Sequence, residues 1–320
     1  MFKALKRASS PVLLLLLAAC SGLTKCGTPK PIEKSDFEAL YQTPPPAPQE
    51  ALAVYHIGHS LMGRDMPAML AQMVGDDHSY ESQQGWGTAL KLHWEEDEEI
   101  PGFEKENDHP RFREAHEAVN SGDYDALVLT EMVEIRDGIK WMGSADYLHR
   151  WAQAGWKANP DMRVYLYETW HELTDPEGWL NRLDLDLERY WETEILRCAL
   201  AYDDMPNPIY VIPAGQVFAR FVREVQSQGG VGPVKSKEDL FAKTEDGEQD
   251  NIHFNDLGAY LVALTHYAVL YQKSPIGLPY QLNRADGSAA ESPGPDAARL
   301  MQEVVWDVVT NYAPTGVPGP

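Results

Sequence analysis

Cysteine is scarce in this chain: Cys20, Cys26 and Cys198 are the only three in 320 residues. So few exclude a disulfide framework as the source of stability. No CxxC pair or His-Cys cluster offers a structural zinc site. Positive charge is also short, with 27 Lys and Arg against 49 Asp and Glu and a net charge of -22. A surface of that sign has no electrostatic affinity for nucleic acid or for anionic lipid. The apolar run Val12 to Ala19 is too short to span a bilayer. There is no internal repeat, and no GxSxG elbow surrounds any serine of interest. His78, His93 and His109 lack metal-like spacing, so neither a metal nor an organic cofactor is expected. What the chain does have is a 43% hydrophobic fraction, enough for one large core.

The N-terminus carries Lys3, Lys6 and Arg7 ahead of that apolar run, which ends in Leu17-Ala18-Ala19-Cys20. A basic front, a short apolar stretch and small residues before the cut form a secretory leader over residues 1–19. Leu-Ala-Ala-Cys resembles the lipobox of bacterial lipoproteins. That resemblance implies a lipid on Cys20, which becomes the first mature residue, and a lipid-anchored place in the bacterial cell envelope. The alternative is a plain leader with Cys20 incidental. Residues 20–50 hold six prolines with little apolar periodicity, as an extended tether would. Cys198 falls in a helical stretch and is expected to be a small buried apolar residue.

From Ala51 onward, short apolar runs alternate with amphipathic segments. Strands are expected at Ala53 to Ile57, His78 to Gln83, Asp125 to Leu129, Val164 to Tyr167 and Ile209 to Ile212. Helices fill the intervals, the last core helix running from Asp256 to Tyr271. Strict alternation argues for an α/β fold: one doubly wound, mainly parallel, five-stranded sheet with helices on both faces. The domain is placed at residues 51–280. Gly229 to Gln249 reads as a surface loop. Residues 281–320 read as a connector, a helix from Asp296 and a tail expected to be disordered after Ala313.

The chemistry centres on Gly58-His59-Ser60, at the end of the first strand, and on Asp250-Asn251-Ile252-His253. Ligands bind beyond the carboxyl ends of strands in such sheets. Gly58 is expected to let the backbone turn so that Ser60 faces the crevice. A serine hydroxyl needs a base to take its proton, and an imidazole suits that task. A carboxylate on the far ring nitrogen fixes the tautomer. Asp250 and His253 stand three apart just before a helix that Asn255 or Asp256 caps. A DxxH pattern alone is weak; paired with a serine at the tip of the first strand it is much stronger.

Together these two motifs resemble the SGNH (GDSL-like) serine esterase superfamily, over about Ala51 to Gln272. The resemblance implies Ser60 as nucleophile, His253 as base and Asp250 as its orienting acid. It implies an oxyanion hole from the Ser60 N–H, a glycine N–H after the second strand and a side-chain amide after the third. Gly87, followed by Thr88, fits the glycine better than Gly85. At the third position this chain has Thr130-Glu131 in place of the family's Asn, leaving Thr130 as the available donor. His59 replaces the Asp of the GDS motif and receives no catalytic role. Trp86, Glu131, Trp170 and His171 are candidate cleft residues, and each aromatic also has an ordinary packing role open to it.

The resemblance implies hydrolysis of acyl esters, with small acyl groups on carbohydrate as the leading substrate class and lipid or aryl esters behind it. Two other readings stand beside it. The same triad could transfer an acyl group to a sugar hydroxyl. Alternatively, the Thr130-Glu131 departure could mark a binding lipoprotein whose catalytic site has decayed.

Overall fold

The computed structural model describes residues 27–319. Cys20, Cys26 and the whole leader therefore lie outside the described residues. Five parallel strands form one sheet: β1 (Ala53–His59), β2 (Ser79–Gly85), β3 (Ala126–Thr130), β4 (Arg163–Glu168) and β5 (Tyr210–Pro213). Their spatial order is β2-β1-β3-β4-β5. The order reverses at β1, which pairs with β2 on one side and β3 on the other. That reversal opens a crevice beyond the carboxyl end of β1, where chain crossovers leave in opposite directions. The expected five-stranded α/β architecture is what the structure has.

β1, β3, β4 and β5 are buried on both faces, as their mostly apolar sequences require. β2, by contrast, is polar in sequence, and its buried Gln83 and Gln84 side chains are hydrogen-bonded to His93, Ala115 N and the Gly63 carbonyl. Every residue of β3 is buried, and Val54, Tyr55 and Ile57 of β1 are inaccessible. The helix Asp256–Tyr271 packs between the helices Asp65–Val74 and Gly294–Thr310. Fourteen of its sixteen residues are buried, so it is apolar nearly all round rather than on a single stripe. Burying a Leu or Val side chain contributes about 1.5–3 kcal/mol, so this helix is a major source of core stability. Asn255 caps its N-terminus, accepting from the backbone N–H groups of Leu257 and Gly258. That satisfies two donors that a bare helix end would leave without partners.

Several sequence expectations give way to packing. The proline-bearing segment does not run on as an extended spacer, because Lys34–Leu40 forms a helix. Phe37 and Tyr41 are buried, and the Tyr41 hydroxyl donates to the Ile209 carbonyl. The apolar side chains of Phe37 and Tyr41, which lie between Pro31 and Pro44, were enough to dock it. The stretch after Ala313 is ordered as well. Pro314, Thr315 and Val317 are buried, and the Thr315 hydroxyl donates to the Val309 carbonyl. Within Gly229 to Gln249, a short 3-10 helix (Lys237–Leu240) leads into β6 (Phe241–Lys243). β6 pairs antiparallel with β7 (Gln249–Phe254). Asp250 and His253 thus sit on a strand of a small hairpin rather than on a loop. Cys198 is buried, as expected, with Sγ against the Thr193 carbonyl.

Gly58 is needed for a reason different from the expected one. It lies inside β1, and the left-handed residue of the turn is Gly63, with φ 62°. A Cβ on Gly58 would stand 2.7 Å from Thr130 Cβ and 2.8 Å from Thr130 Oγ1. The glycine lets β3 approach β1 closely just below the turn that carries Ser60.

Candidate active site

Ser60 follows β1 directly, in a turn closed by the bond from Met62 N to the His59 carbonyl. Two buried histidines hold that turn. His59 Nε2 donates to the Glu131 carbonyl at 2.9 Å, and its Nδ1 accepts from Leu61 N at 3.3 Å. His93 Nε2 donates to the Gly58 carbonyl at 2.9 Å, while its Nδ1 accepts from Gln83. Both rings therefore have a fixed neutral tautomer. Burial lowers each to about 4, against a weaker opposing effect from the backbone carbonyl it serves. His59 is thus a brace for the turn that carries Ser60.

His253 reaches the same turn from β7. Ser60 Oγ lies 2.9 Å from His253 Nε2, and His253 Nδ1 lies 2.9 Å from Asp250 Oδ2. Asp250 Oδ1 also accepts the backbone N–H groups of Ile252 and His253, each at 2.8 Å. Burial pushes the Asp250 carboxyl up, but these two N–H groups and the His253 ring outweigh it and hold it below its usual value. The carboxylate is therefore a fixed anion on one side of the ring. With Nδ1–H donating to it, Nε2 is left free to accept the serine proton.

These groups open into a cavity of about 640 Å³, lined by His59, Ser60, Leu61, Trp86, Gly87, Glu106, Val133, Glu172, Ile252 and His253. Of the residues singled out in the sequence, Ser60, His253, Gly87 and Trp86 meet here. Gly87 has φ 55°, a left-handed conformation that suits a glycine turn. Gly85 is not in the lining. It ends β2, and a Cβ there would fall 2.1 Å from Thr88 Oγ1. Trp86 is half exposed, with its indole N–H donating to Glu106 Oε1.

Four other candidates do not reach the cavity. Thr130 is fully buried beneath Gly58. Glu131 is buried on the other side of the strand, its Oε1 accepting from Met132 N, and burial raises its carboxyl to about 7. Trp170 packs against Phe218 and Phe254 and donates to the Ile252 carbonyl. His171 lies 2.9 Å from Asp186 in a buried ionic cluster. The reason is common to all four. The last residue of a strand and the first few beyond it alternate between its faces, and only the outermost positions clear the helices packed there. Val133 and Glu172, each two positions or fewer further along, line the cavity instead. The cavity also takes Glu106 from the end of the short helix Phe103–Glu106, and Ile252 from between the motif's Asp and His. Ile252 was legible in principle, since it sits inside the motif; Val133, Glu106 and Glu172 carry no sequence signal that separates them from their neighbours. Among the described residues, none with a side-chain amide lines the cavity, and of the residues expected to form an oxyanion hole only Ser60 and Gly87 do.

No family model and no curated protein matches this chain. Among solved structures, it is similar to a DUF4886 family protein from Bacteroides uniformis ATCC 8492. The TM-score is 0.50 at 14% sequence identity, over 81% of this chain and 95% of that one. At that identity the likeness bears on fold alone, and it agrees with the α/β architecture. A carbohydrate esterase family 2 enzyme with a carbohydrate binding domain, from Corynascus thermopiles (Myceliophthora fergusii), overlaps 48% of this chain and 53% of its own. Its TM-score is 0.26 at 12% identity, too slight an overlap to bear on function.

Proposed function

We propose that this protein is a serine esterase that hydrolyses acyl esters through Ser60, His253 and Asp250. The observation that carries the reading is the unbroken relay of two 2.9 Å contacts, Ser60 Oγ to His253 Nε2 and His253 Nδ1 to Asp250 Oδ2. Ser60 Oγ forms a bond to the acyl carbon as its proton passes to His253 Nε2. The backbone N–H groups of Ser60 and Gly87 receive the developing oxyanion. The tetrahedral intermediate collapses, the carbon–alkoxy bond breaks, and His253 returns the proton to the leaving alcohol. Water then attacks the acyl-serine with His253 again as base, releasing the acid and restoring the Ser60 hydroxyl.

An oxyanion hole short of one donor is expected to be slower by roughly a hundredfold to a thousandfold than one with three. Esters with good leaving groups are therefore the substrates of choice for assay. The decisive measurement is labelling of Ser60 by a fluorophosphonate, together with p-nitrophenyl acetate turnover by the native protein and by Ser60→Ala. The native protein is expected to label at Ser60, and Ser60→Ala to lose both labelling and turnover. A protein that does not label, and that turns over no faster than Ser60→Ala, is a binding protein rather than an enzyme.

The acyl group is proposed to be small and the alcohol a carbohydrate, on the strength of the sequence resemblance and of the half-exposed Trp86 at the rim, whose ring face suits a sugar. Transfer to a second sugar is the alternative reading. It is favoured by a further cavity of about 840 Å³, of which Trp86 is the shared wall. Product analysis with and without a polysaccharide acceptor separates the two. The envelope location rests on the leader and Cys20, and incorporation of labelled fatty acid that Cys20→Ser abolishes would support it.

A further inference from the structure

Arg182 is 1% exposed and is surrounded by acids. Its Nε donates to Asp186 Oδ2 at 2.6 Å, and its two terminal nitrogens form a paired grip on Glu134 at 2.9 and 2.8 Å. One of them also donates to Asp175 Oδ2 at 2.7 Å, the other to His171 Nδ1 at 3.3 Å. Burying a guanidinium is costly, and the cost is offset only where its donors are this well satisfied. Apolar side chains replacing the whole cluster, Arg182 together with its acids, could fill the same space with less penalty, so stability alone does not account for the choice.

The partners suggest the purpose. Glu134 follows Val133, which lines the cleft after β3. His171 and Asp175 bracket Glu172, which lines it after β4. The same post-β4 segment is tied to the two middle residues of the Asp250–His253 motif. Leu173 N donates to the Asn251 carbonyl at 2.8 Å, and Trp170 Nε1 to the Ile252 carbonyl at 2.8 Å. The Asn251 side chain completes the tie, accepting from Thr174 N at 3.1 Å and donating to Glu172 Oε2 at 3.0 Å.

We infer that Arg182 and Asn251 are positioning residues for the triad. The buried guanidinium fixes the segment from His171 to Asp175, and that segment, through Asn251, sets where β7 presents His253 to Ser60. Neither residue touches substrate. The inference rests on the esterase reading and adds to it a structural origin for the Ser60–His253 distance. A planar five-donor fork is what the arrangement needs, and a lysine, with one compact ammonium, cannot span three carboxylates and an imidazole.

The test compares Asn251→Ala, Arg182→Lys and Arg182→Met with the wild-type protein. It measures the fluorophosphonate labelling rate at Ser60, kcat and KM for p-nitrophenyl acetate, and the low-field proton resonance of His253 Nδ1–H. Asn251 is only partly buried and lies outside the apolar core, so Asn251→Ala is expected to stay folded. Its kcat and labelling rate should fall roughly ten- to a hundredfold, the scale expected for misplacement of a catalytic group by about 1 Å. KM should change by less than about twofold, and the resonance should broaden. Arg182→Met should lose more and Arg182→Lys an intermediate amount. A folded Asn251→Ala protein with wild-type kcat and an unchanged resonance overturns the inference alone. A wild-type protein that does not label at Ser60 overturns the esterase reading, and this inference with it.

Discussion

A hydroxyl, an imidazole and a carboxylate do nothing unusual separately; each residue of this site depends on what holds the next. Asp250 is the clearest case, because three N–H donors converge on its two oxygens. Asp250→Asn keeps the shape but presents an amide that can stabilise the other His253 tautomer, leaving Nε2 protonated and unable to act as base. Its kcat for an activated ester should drop by about a thousandfold to ten-thousandfold, with thermal stability changed far less. A variant within tenfold of wild type would show that the carboxylate is not the orienting group. Glu172 makes a separate prediction. With Glu106 it gives the cleft two carboxylates, and a charge brought within about 4 Å of one of them interacts with it by about 1–4 kcal/mol in a partly solvated site. Anionic esters should therefore be poor substrates. Glu172→Gln should raise the ratio of kcat/KM for an anionic ester over a neutral one by several-fold at low salt. The gain should shrink in 0.5 M salt, because screening already weakens the repulsion there. A ratio unaffected by the substitution at low salt would remove Glu172 as a source of selectivity.

At the scale of elements, β1 shows how backbone packing and catalysis meet. Thr130 fills the space that a Gly58 side chain would occupy. Gly58→Ala should therefore cost about 1–3 kcal/mol through overpacking and lower esterase activity by displacing the Ser60 turn. Adding Thr130→Gly should recover part of both losses. Chemical denaturation of the single and double variants checks this, and strictly additive losses would mean that the two residues do not compete for the space. The same strand shows what could be read in advance. Ala53 to Ile57 is legible because a buried parallel strand must be continuously apolar, and β3, β4 and β5 follow the same rule, while β2 is polar in sequence and departs from it. The serine and the DxxH residues were legible because acid–base chemistry demands those types. The third oxyanion position was not. Thr130 ends β3 and Glu131 follows it, where an oxyanion donor would stand, but whether either clears the packed helices depends on the tightness of the β1–β3 approach, and neither does. Likewise, nothing in the spacing of prolines reveals that Phe37 and Tyr41 find a groove to fill.

Across the whole molecule, the net charge of -22 coexists with carboxyls that burial keeps protonated. Burial raises Glu168 to about 8 against its bonds with Gln216, and raises Glu131 to about 7. In the unfolded chain both ionise near the ordinary carboxylate value, so between that value and about 8 the folded state binds more protons. Stability must then fall as pH rises through this window. The buried imidazoles of His59, His93 and His266 act in the opposite sense. Each is lowered to about 4 chiefly by burial, so the unfolded state binds more protons between about 4 and 6.5, and stability falls as pH drops through that range. The two slopes oppose each other in mild acid, and above about 6.5 only the carboxyl slope remains. Maximum stability should therefore lie near pH 6, with a decline of a few kcal/mol by pH 8.5, given about 1.4 kcal/mol per pKa unit. Glu168 dominates the alkaline part because its window extends furthest. Glu168→Gln keeps an acceptor for the Gln216 backbone N–H while removing the ionisation. It should flatten the loss of Tm between pH 6.5 and 8.5 and leave the acid limb in place. If the variant kept the full alkaline decline, ionisation of Glu168 would not be its source.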